Sequence, residues 1–567
     1  MKKNKKFDLK FSILMPFRQK YKLIFIIILL SLFFFQGVRM ALEASPTNDE
    51  PGHITAGYAY LKKGDLRFNV GAPLLLNSFS AFPLIFLKLP EISLSNFWGE
   101  AYVHGVARDF FLSSKMPVDL VFFLARLPIL FLGVFLGIFI FKWTRKLYGE
   151  KTALLALLFF AFEPNLIAHA SLATSDLGAT FFIFASVYYL WCYLKEKRGF
   201  YLLPMIFFFI AAQLSKITSL ILFPLFFFLI FLKKKEIKFS FKILFILIFT
   251  TWLSINLFYG FRGLGKNLDY YLKEDRAIAF RGIDLTSLEN KILLKNMPLL
   301  VSYHYLKSLG WVIYRSKFGQ PAFLNGQYST TGWWYYFPEV LLIKTPLPLL
   351  IFGIFSLIIL VRNRYKKDFA DELFLVLPIL FVFFPSLFNH INAGIRYILP
   401  IFPFFIVFSA RGICFLEKKN KLIFILLIIW LLVGTIRISP YYLAYFNELV
   451  GGPKNGYLYL ADSNIDWGQD VKNLVNFVKK NKIEKIKINL FGVALPETYG
   501  LKYEWFGPSW LKEEKEKQLS CEPKEGWIAI SVTQLQGVYL ENKDCFSWLK
   551  NKKPYAQIGY SIFVYKI

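Results

Sequence analysis

Charged residues are scarce in this chain of 567 residues. Asp, Glu, Lys and Arg make up 19% of it, whereas 56% of the residues are hydrophobic and 65 of them are Phe. This much apolar side chain excludes an intrinsically disordered chain. It also excludes a single soluble core, because Ile, Leu and Phe are gathered in long runs that hold almost no charge. The composition therefore predicts a polytopic, α-helical membrane protein.

The charge-free runs give the number of predicted membrane-spanning helices. A span needs roughly 20 mostly apolar residues, and most runs reach that length with their uncharged polar flanks. We expect about eleven transmembrane helices. The runs are 23–38, 127–141, 152–162, 177–194, 199–215, 217–232, 243–261, 345–361, 373–395, 397–410 and 422–436.

The distribution of Lys and Arg predicts the orientation of these helices. Short cytoplasmic loops are enriched in basic residues, and a cytoplasmic N-terminus MKKNKKFDLK places five further basic loops on the same side, at 142–151, 195–198, 233–238, 362–367 and 411–421. An odd number of spans then puts the C-terminal region outside. We expect a multi-pass protein of the plasma (inner) membrane, with a cytoplasmic N-terminus and an extracytoplasmic C-terminal domain.

The net charge of +29 follows mainly from this orientation. The six predicted inside segments together hold 28 basic and 8 acidic residues. These segments are 1–22, 142–151, 195–198, 233–242, 362–372 and 411–421. Such a basic face attracts anionic lipid. The lipid bilayer is thus a predicted partner, and no nucleic-acid partner is needed to explain the charge.

The chain divides into two predicted domains. Residues 1–437 form a transmembrane domain with large outer loops at about 44–117 and 262–337. Residues 438–567 form a small α/β domain, because KIKINLF, WIAISV and IGYSIFVYKI have strand patterns and DVKNLVNFVKKN has the pattern of an amphipathic helix. Cys521 and Cys545 both fall in this outer domain, where a disulfide and two free thiols remain equally open.

The few ionisable groups near the membrane gather on the predicted outer side. Asp49 and Glu50 follow the first span, and Asp176 begins a later one. Carboxylates in this setting suit general-base chemistry or a divalent cation. We therefore leave a cation open, with Asp49, Glu50 and Asp176 as its ligands if it binds. The alternative is structural, because Asn48 or Asp49 followed by Pro51 is also typical of a helix N-terminus.

Several segments together resemble a known family. The run Asn48-Asp49-Glu50-Pro51-Gly52-His53 with AGYAYLKKGDLRFN resembles the first outer loop of bacterial GT-C membrane glycosyltransferases. These phospholipid-carrier-dependent, family 39-like enzymes include the protein O-mannosyltransferases and the aminoarabinose transferases. FAFEPNLIAHASLATSDLGA, GWWYYFPEVLLIKTPLPLL, NAGIRYILPIFPF and PYYLAYFNELVGGP with ADSNIDWGQD resemble later family segments, in the same order.

The resemblance implies an inverting transfer of a hexosyl or pentosyl group on the outer face of the membrane. The donor would be a polyprenyl-phosphate-linked sugar, and the acceptor a hydroxyl on a glycan, a lipid or a protein. The family's catalytic carboxylate in the first outer loop maps to Asp49, with Glu50 beside it. A second acidic position matches Asp176. Asp49 would be the general base, and Glu50 or Asp176 would orient the acceptor or share the chemistry.

Other residues are predicted to bind the substrates. Arg396 is the best candidate for the leaving phosphate, and Lys344, Arg126 and Lys216 are weaker ones. His53 and His169 lie on the same outer side. Trp333, Trp334 and Tyr335 could stack on a sugar or belong to an interfacial aromatic belt. His169 alone also fits an interfacial histidine without a ligand.

Two other functions remain as alternatives. A multi-spanning transporter or lipid flippase is supported by the number of spans and the Phe content. However, transporters place carboxylates near the midplane and often contain inverted repeats, and neither is visible here. The other alternative is a non-catalytic membrane protein that binds a sugar or a lipid.

Overall fold

The computed structural model describes residues 15–68, 71–234, 237–267, 298–362, 369–508 and 520–567. Part of the predicted outer loop 262–337, part of the basic loop 362–367 and the N-terminal residues 1–14 lie outside the described residues. Within them the protein is mostly helical. The helices, labelled in chain order, are α1 (Met15–Glu43), α2 (Glu50–Lys63), α3 (Leu75–Ala81), α4 (Val103–Leu112), α5 (Val118–Tyr148), α6 (Glu150–Ala161), α7 (Pro164–Ala170), α8 (Ser175–Glu196), α9 (Leu202–Gln213), α10 (Leu222–Lys234), α11 (Ile237–Phe258), α12 (Tyr303–Phe318), α13 (Tyr336–Lys344), α14 (Leu347–Arg362), α15 (Phe369–Ser386), α16 (Ile401–Lys419), α17 (Lys421–Ile438), α18 (Val471–Lys480), α19 (Val532–Leu535) and α20 (Ser547–Lys550).

Six of the described helices are long and apolar enough to cross a membrane, namely α5, α8, α11, α15, α17 and residues Tyr21–Glu43 of α1. Two pairs bend sharply, α6 with α7 by 63° and α13 with α14 by 113°, and they raise the number to eight if each pair is one span. The prediction of a polytopic helical membrane protein is confirmed.

The predicted number of about eleven spans exceeds this range, although every predicted run overlaps a helix. The three additional runs fall in α9, α10 and α16. Helices α9 and α10 have 12 and 13 residues, which is too short to cross the hydrocarbon core unaided. Helix α16 ends in a turn with Glu417, Lys418 and Lys419, so its charged end shortens the apolar stretch.

The spans differ in how much of their surface faces other helices. In α8, 89% of the most apolar stretch is buried, against 22% in α1 and in α17. Helix α8 therefore lies inside the bundle, where it packs against α5 and α9. The outer faces of α1, α11 and α17 expose Leu, Ile and Phe side chains. An apolar surface of this kind suits contact with lipid.

The segment 44–117, which was predicted as the first outer loop, is largely helical. Helix α2 packs against α3 and α4, and these helices share a second hydrophobic core with residues of α5 and α11. Helix α2 begins immediately after Asp49, with Pro51 in its first turn, where the fixed φ of proline favours helix initiation. It ends at Gly64, which has φ +62° and closes the helix in the left-handed conformation.

A five-stranded mixed sheet forms the C-terminal region. Its strands are β3 (Ile486–Asn489), β4 (Tyr503–Trp505), β5 (Trp527–Ser531), β6 (Ala556–Ile558) and β7 (Ile562–Lys566), in the order β4-β3-β5-β7-β6. Strand β3 runs parallel to β4 and β5, and β7 runs antiparallel to β5 and β6. A separate hairpin joins β1 (Ala322–Leu324) to β2 (Gln327–Ser329) in the second outer loop.

The elements of this region follow the sequence patterns. Helix α18 buries Val471, Leu474, Val475 and Val478 in the core that it shares with the sheet, because these positions recur at helical spacing on one face. The three predicted strands correspond to β3, β5 and β7. Cys521 and Cys545 form a disulfide, so the open alternative between a bond and two free thiols is decided in favour of the bond.

Candidate active site

Asp49 lies in the turn between α1 and α2, at the N-cap position of α2. The turn is fixed by main-chain hydrogen bonds, since Ser45 N–H donates to Gln469 O at 2.8 Å and Asn48 N–H donates to Trp467 O at 2.9 Å. The Asp49 side chain makes no capping hydrogen bond. It accepts instead from Arg396 Nη1 at 2.7 Å and from Asn48 Nδ2 at 3.1 Å. The alternative role as a helix N-terminus therefore explains where Asp49 lies in the chain. It does not explain why the Asp49 carboxylate points to Arg396.

Glu50 points away from Asp49 and is completely buried. Both of its oxygens accept hydrogen bonds from Arg126, each at 2.7 Å. They also accept from the main-chain N–H groups of Thr47 and Ala173. The contacts with Arg126 and Ala173 tie the start of α2 to α5 and to the turn before α8. Glu50 therefore connects elements of the fold, and it does not line the cavity that Asp49 faces.

Asp176 lies in the first turn of α8 and faces the same space as Asp49. Its Oδ1 accepts from Lys216 Nζ at 2.5 Å, and its Oδ2 accepts from Thr174 Oγ1 at 3.2 Å. The Lys216 ammonium also lies 5.3 Å from the centre of the Tyr397 ring. This second carboxylate is thus held by its own cation, as Asp49 is held by Arg396.

These groups line one cavity of about 370 Å³. Of the predicted site residues, the cavity brings together Asp49, His53, Asp176 and Arg396. The remaining lining residues are Asn48, Gly52, Ala56, Phe68, Gly71, Ala72, Asn77, Val103, His104, Ser175, Lys216, Ile217, Thr218, Trp311, Val312, Arg315, Asn389, Ile391 and Tyr397.

The other predicted site residues lie elsewhere. Lys344 is buried and donates to the carbonyls of Leu443 and Asn464, at 2.8 and 2.5 Å, so its side chain links α13 to the segment that leads into the C-terminal region. His169 is buried against the Trp467 ring. The aromatic run 333–335 does not line this cavity, and Trp334 is exposed.

Sequence reasoning missed Arg315 and Trp311 as cavity residues. Both lie on α12, in the second outer loop, and the Arg315 guanidinium lies 5.6 Å from the centre of the Trp311 ring. No motif in the sequence singles out this helix. The only available signal was the position of Arg315 in an outward segment. Lys216 also lines the cavity, although the sequence gave it a lower rank than Arg396.

Arg396 holds the carboxyl of Asp49 in its ionised form. Burial raises the pKa of Asp49, but the positive charge of Arg396, with smaller contributions from His53 and Asn48, outweighs burial and leaves the pKa below its ordinary value. The guanidinium of Arg396 packs against two aromatic rings. Its Cζ atom lies 4.3 Å from the centre of the Trp467 ring and 5.3 Å from the centre of the Tyr397 ring. The site therefore holds an ionised carboxylate beside a guanidinium of fixed position.

The positions of the carboxylates show whether they could bind one metal ion together. Within the described residues, no three His, Cys, Asp or Glu side chains converge as metal ligands. The three carboxylates that were considered as ligands point to different partners, Asp49 to Arg396, Asp176 to Lys216 and Glu50 to Arg126. In this arrangement each of the three carboxylates is paired with a basic side chain.

The architecture and the site together define the class. The chain has the GT-C fold, the fold of membrane glycosyltransferases, as the ordered motifs predicted. Residues 115–259 match the family model of dolichyl-phosphate-mannose-protein mannosyltransferases. No curated protein matches the chain in sequence.

Solved structures resemble the chain over nearly its whole length. ArnT from Cupriavidus metallidurans, in a crystal structure with undecaprenyl phosphate bound, superposes with a TM-score of 0.51 at 11% identity, covering 96% of this chain and 97% of ArnT. The oligosaccharyltransferase AglB from Archaeoglobus fulgidus, in complex with an inhibitory peptide and a dolichol-phosphate, gives a TM-score of 0.44 at 11% identity. That match covers 91% of this chain and 70% of AglB. At such identity the likeness to ArnT defines the fold.

Proposed function

We propose that this protein is an inverting glycosyltransferase that moves a sugar from a polyprenyl-phosphate donor to an acceptor hydroxyl on the outer face of the plasma membrane. The observation that carries the proposal is the pair of Asp49 and Arg396 in one cavity, 2.7 Å apart. The family match and the fold of ArnT, whose structure holds undecaprenyl phosphate, support lipid-linked glycosyl transfer as the class of reaction.

Asp49 is the general base of the proposed reaction. The acceptor oxygen forms a bond to the anomeric carbon as the bond from that carbon to the phosphate oxygen breaks, and the hydroxyl proton passes to the Asp49 carboxylate. Attack from the face opposite the phosphate inverts the anomeric centre. A carboxylate can do this only while it is ionised, and the charge of Arg396 favours that form.

Arg396 is the proposed partner of the leaving phosphate, with Lys216 and Arg315 as further cations on the cavity wall. Fixed positive charge next to the leaving group stabilises the negative charge that develops in the transition state. A bound phosphate would also share the guanidinium with Asp49. The carboxylate would then lose part of its ion pair and become a stronger base when the donor is in place.

Asp176 has a positioning role in this scheme, because it fixes Lys216 at a distance of 2.5 Å. Glu50 was predicted to share the chemistry, but its contacts favour a structural role. His53 Nδ1 donates to Asn77 Oδ1 at 2.9 Å, and the ring lines the same cavity, which suits binding of sugar hydroxyls. We further propose residues 1–437 as the catalytic membrane domain and residues 438–567 as an extracytoplasmic domain.

The substitution Asp49→Asn tests the proposal. Loss of a general base lowers a rate by about 10²–10⁴-fold, so we expect transfer from radiolabelled undecaprenyl-phosphate hexoses and pentoses to fall by at least about 100-fold in membranes. The matched control is Asp65→Asn, which removes a carboxylate of the same outer loop that is paired with Arg67. Full activity of the Asp49→Asn variant would exclude Asp49 as the base.

A further inference from the structure

A second cavity, of about 230 Å³, lies between the first outer loop and the C-terminal sheet. One wall comes from α4 and the start of α5. The opposite wall comes from the loop that follows β3 and from β4. The cavity therefore exists only where the C-terminal region meets the membrane domain.

The two cavities share a wall near Asp49. His104 lines both of them, and an ideal Cβ on Gly52 of the first cavity would lie 3.9 Å from His104 Cε1. Pro46 and Pro51, which flank Asp49 in sequence, line the second cavity. A ligand in the second cavity would thus approach the turn that carries Asp49 from the side of the C-terminal region.

The side chains of the second cavity suit a carbohydrate. Six rings of Phe, Tyr and Trp line it, from Tyr102, Phe111, Phe122, Tyr499, Tyr503 and Trp505. Tyr503 and Trp505 are two residues apart on β4, so they present their rings on one face of the strand. Flat aromatic faces next to a few polar groups allow the CH faces of a sugar ring to stack while its hydroxyls are hydrogen-bonded.

The charges at this cavity argue against a polyanionic ligand. Arg108 and Glu497 both line it, so it carries both signs and has no excess that would attract a polyanion. Both charged residues are exposed, and apolar side chains such as Phe111, Phe122 and Leu495 share the wall with them. Glu497 accepts from Tyr503 Oη at 2.9 Å, which places a carboxylate acceptor beside one of the rings.

The two walls are held together by hydrogen bonds across the cavity's edge. Tyr499 Oη donates to Asp119 Oδ1 at 3.1 Å, and Lys472 Nζ lies 2.6 Å from Asp119 Oδ2. Lys472 also donates to Leu42 O at 2.9 Å, at the end of α1. These contacts fix the C-terminal wall against the membrane domain, so that the cleft has a defined width.

We propose that this second cavity binds the acceptor, and that the acceptor presents a neutral glycan. The assignment rests on the proposed function, since an acceptor held there would bring a hydroxyl to the turn that carries Asp49. It gives the C-terminal region a role in substrate choice. Trp505 and Tyr503 are the stacking residues, and Arg108 and Glu497 bind hydroxyls.

Photoaffinity labelling of the purified full-length protein tests this assignment. The probes are diazirine-bearing neutral oligosaccharides built of hexose or of N-acetylhexosamine units, with a diazirine fatty acid and a diazirine peptide for comparison. We expect saturable labelling of peptides around residues 102–112 and 490–505 by an oligosaccharide probe. Trp505→Ala should reduce it by roughly tenfold, the effect of losing one aromatic contact, whereas Trp505→Phe should retain most of it.

The matched control is Tyr555→Ala, which removes an exposed ring of the same C-terminal region that does not line the cavity. Its labelling should be unchanged, and near-UV circular dichroism should show that each variant is folded. No saturable oligosaccharide labelling of the cavity, or stronger labelling by the fatty acid or the peptide, overturns the proposal.

A second comparison separates this proposal from the proposed function. The Asp49→Asn variant should keep the labelling while it loses transfer. Labelling of the cavity in a protein that transfers no sugar from any donor would contradict the proposed function alone. Transfer by a protein whose cavity is never labelled would contradict the acceptor site alone.

Discussion

Asp49 and Glu50 are neighbours in the chain, yet their carboxylates lie in different environments. Asp49 faces a cavity and is partly exposed, whereas Glu50 is sealed between α2, α5 and the turn before α8. The sequence shows an acidic pair and cannot show this difference, because the direction of each side chain depends on Arg126 and Arg396. Those partners lie 76 and 347 residues away along the chain.

Removing the charge of Glu50 should reduce stability. In Glu50→Gln the buried Arg126 loses its counter-charge, and breaking a buried pair costs about 3–5 kcal/mol. The expected result is a lower midpoint of thermal unfolding in detergent. Asp49→Asn should leave the midpoint almost unchanged. A Glu50→Gln variant of full stability that had lost its transfer activity would contradict the structural role of Glu50.

The pairing of Asp49 with Arg396 predicts the pH dependence of transfer. Because the pKa of Asp49 is held below its ordinary value, the base stays ionised, and activity should fall only in strong acid. In Arg396→Met the effect of burial remains and raises the pKa. The acidic limb of kcat/KM should therefore move to higher pH.

The control for the pH experiment is Arg315→Met, which removes another cation of the same cavity without a hydrogen bond to Asp49. It should weaken donor binding and leave the acidic limb in place. Equal shifts of the acidic limb in both variants would mean that the total positive charge of the cavity determines its pH. The ion pair of Asp49 with Arg396 would then have no specific effect.

At the scale of elements, the close packing of α2 on α3 positions the site. A Cβ added to Gly57 would lie 2.0 Å from Asn77 O, so only glycine allows this approach. The side chain of Asn77 in turn contacts His53 Nδ1 at 2.9 Å. The spacing of the two helices therefore determines where His53 and the turn with Asp49 lie.

Gly57→Ala should impair transfer because it forces α2 and α3 apart. A displacement of about 1 Å in a reacting group lowers a rate by about 100-fold, and we expect a loss of this order in the membrane assay. Gly99→Ala is the matched control, since an added Cβ meets nothing within 4 Å there. Normal activity of Gly57→Ala would show that the two helices shift without moving the site.

The sequence predicted the elements well and their partners poorly. Long apolar runs and the pattern of α18 depend on local periodicity, and the helices and strands form where those patterns lie. Helices α9 and α10 were predicted as membrane spans but are too short to be spans by themselves. Apolar composition alone does not show where a helix ends. Arg315 was missed for a related reason, since its place in the cavity depends on how α12 packs.

At the scale of the whole molecule, the predicted topology explains the net charge of +29. The ion pairs Lys195–Asp371, Lys233–Asp371 and Arg411–Glu372 join several of the basic segments into one cluster. This cluster is consistent with all of these segments lying on one side of the bilayer, as the positive-inside rule predicts.

Reporter fusions test this topology. Alkaline phosphatase, which folds only outside the cytoplasm, should be active when fused after Ile567 and inactive when fused within the loop 411–421. A green fluorescent protein should show the opposite pattern. Phosphatase activity at both positions would contradict the orientation and, with it, an outward-facing site.

The distance in sequence between the partners of the site has a consequence for synthesis of the protein. Asp49 meets Arg396 across 347 residues, and the turn that carries Asp49 is fixed by the main chain of Trp467. At about 5–20 residues per second, Asp49 leaves the ribosome some tens of seconds before these partners. A chain that ends before these residues therefore inserts into the membrane without the assembled site, and only a polypeptide that extends past Trp467 can form both contacts.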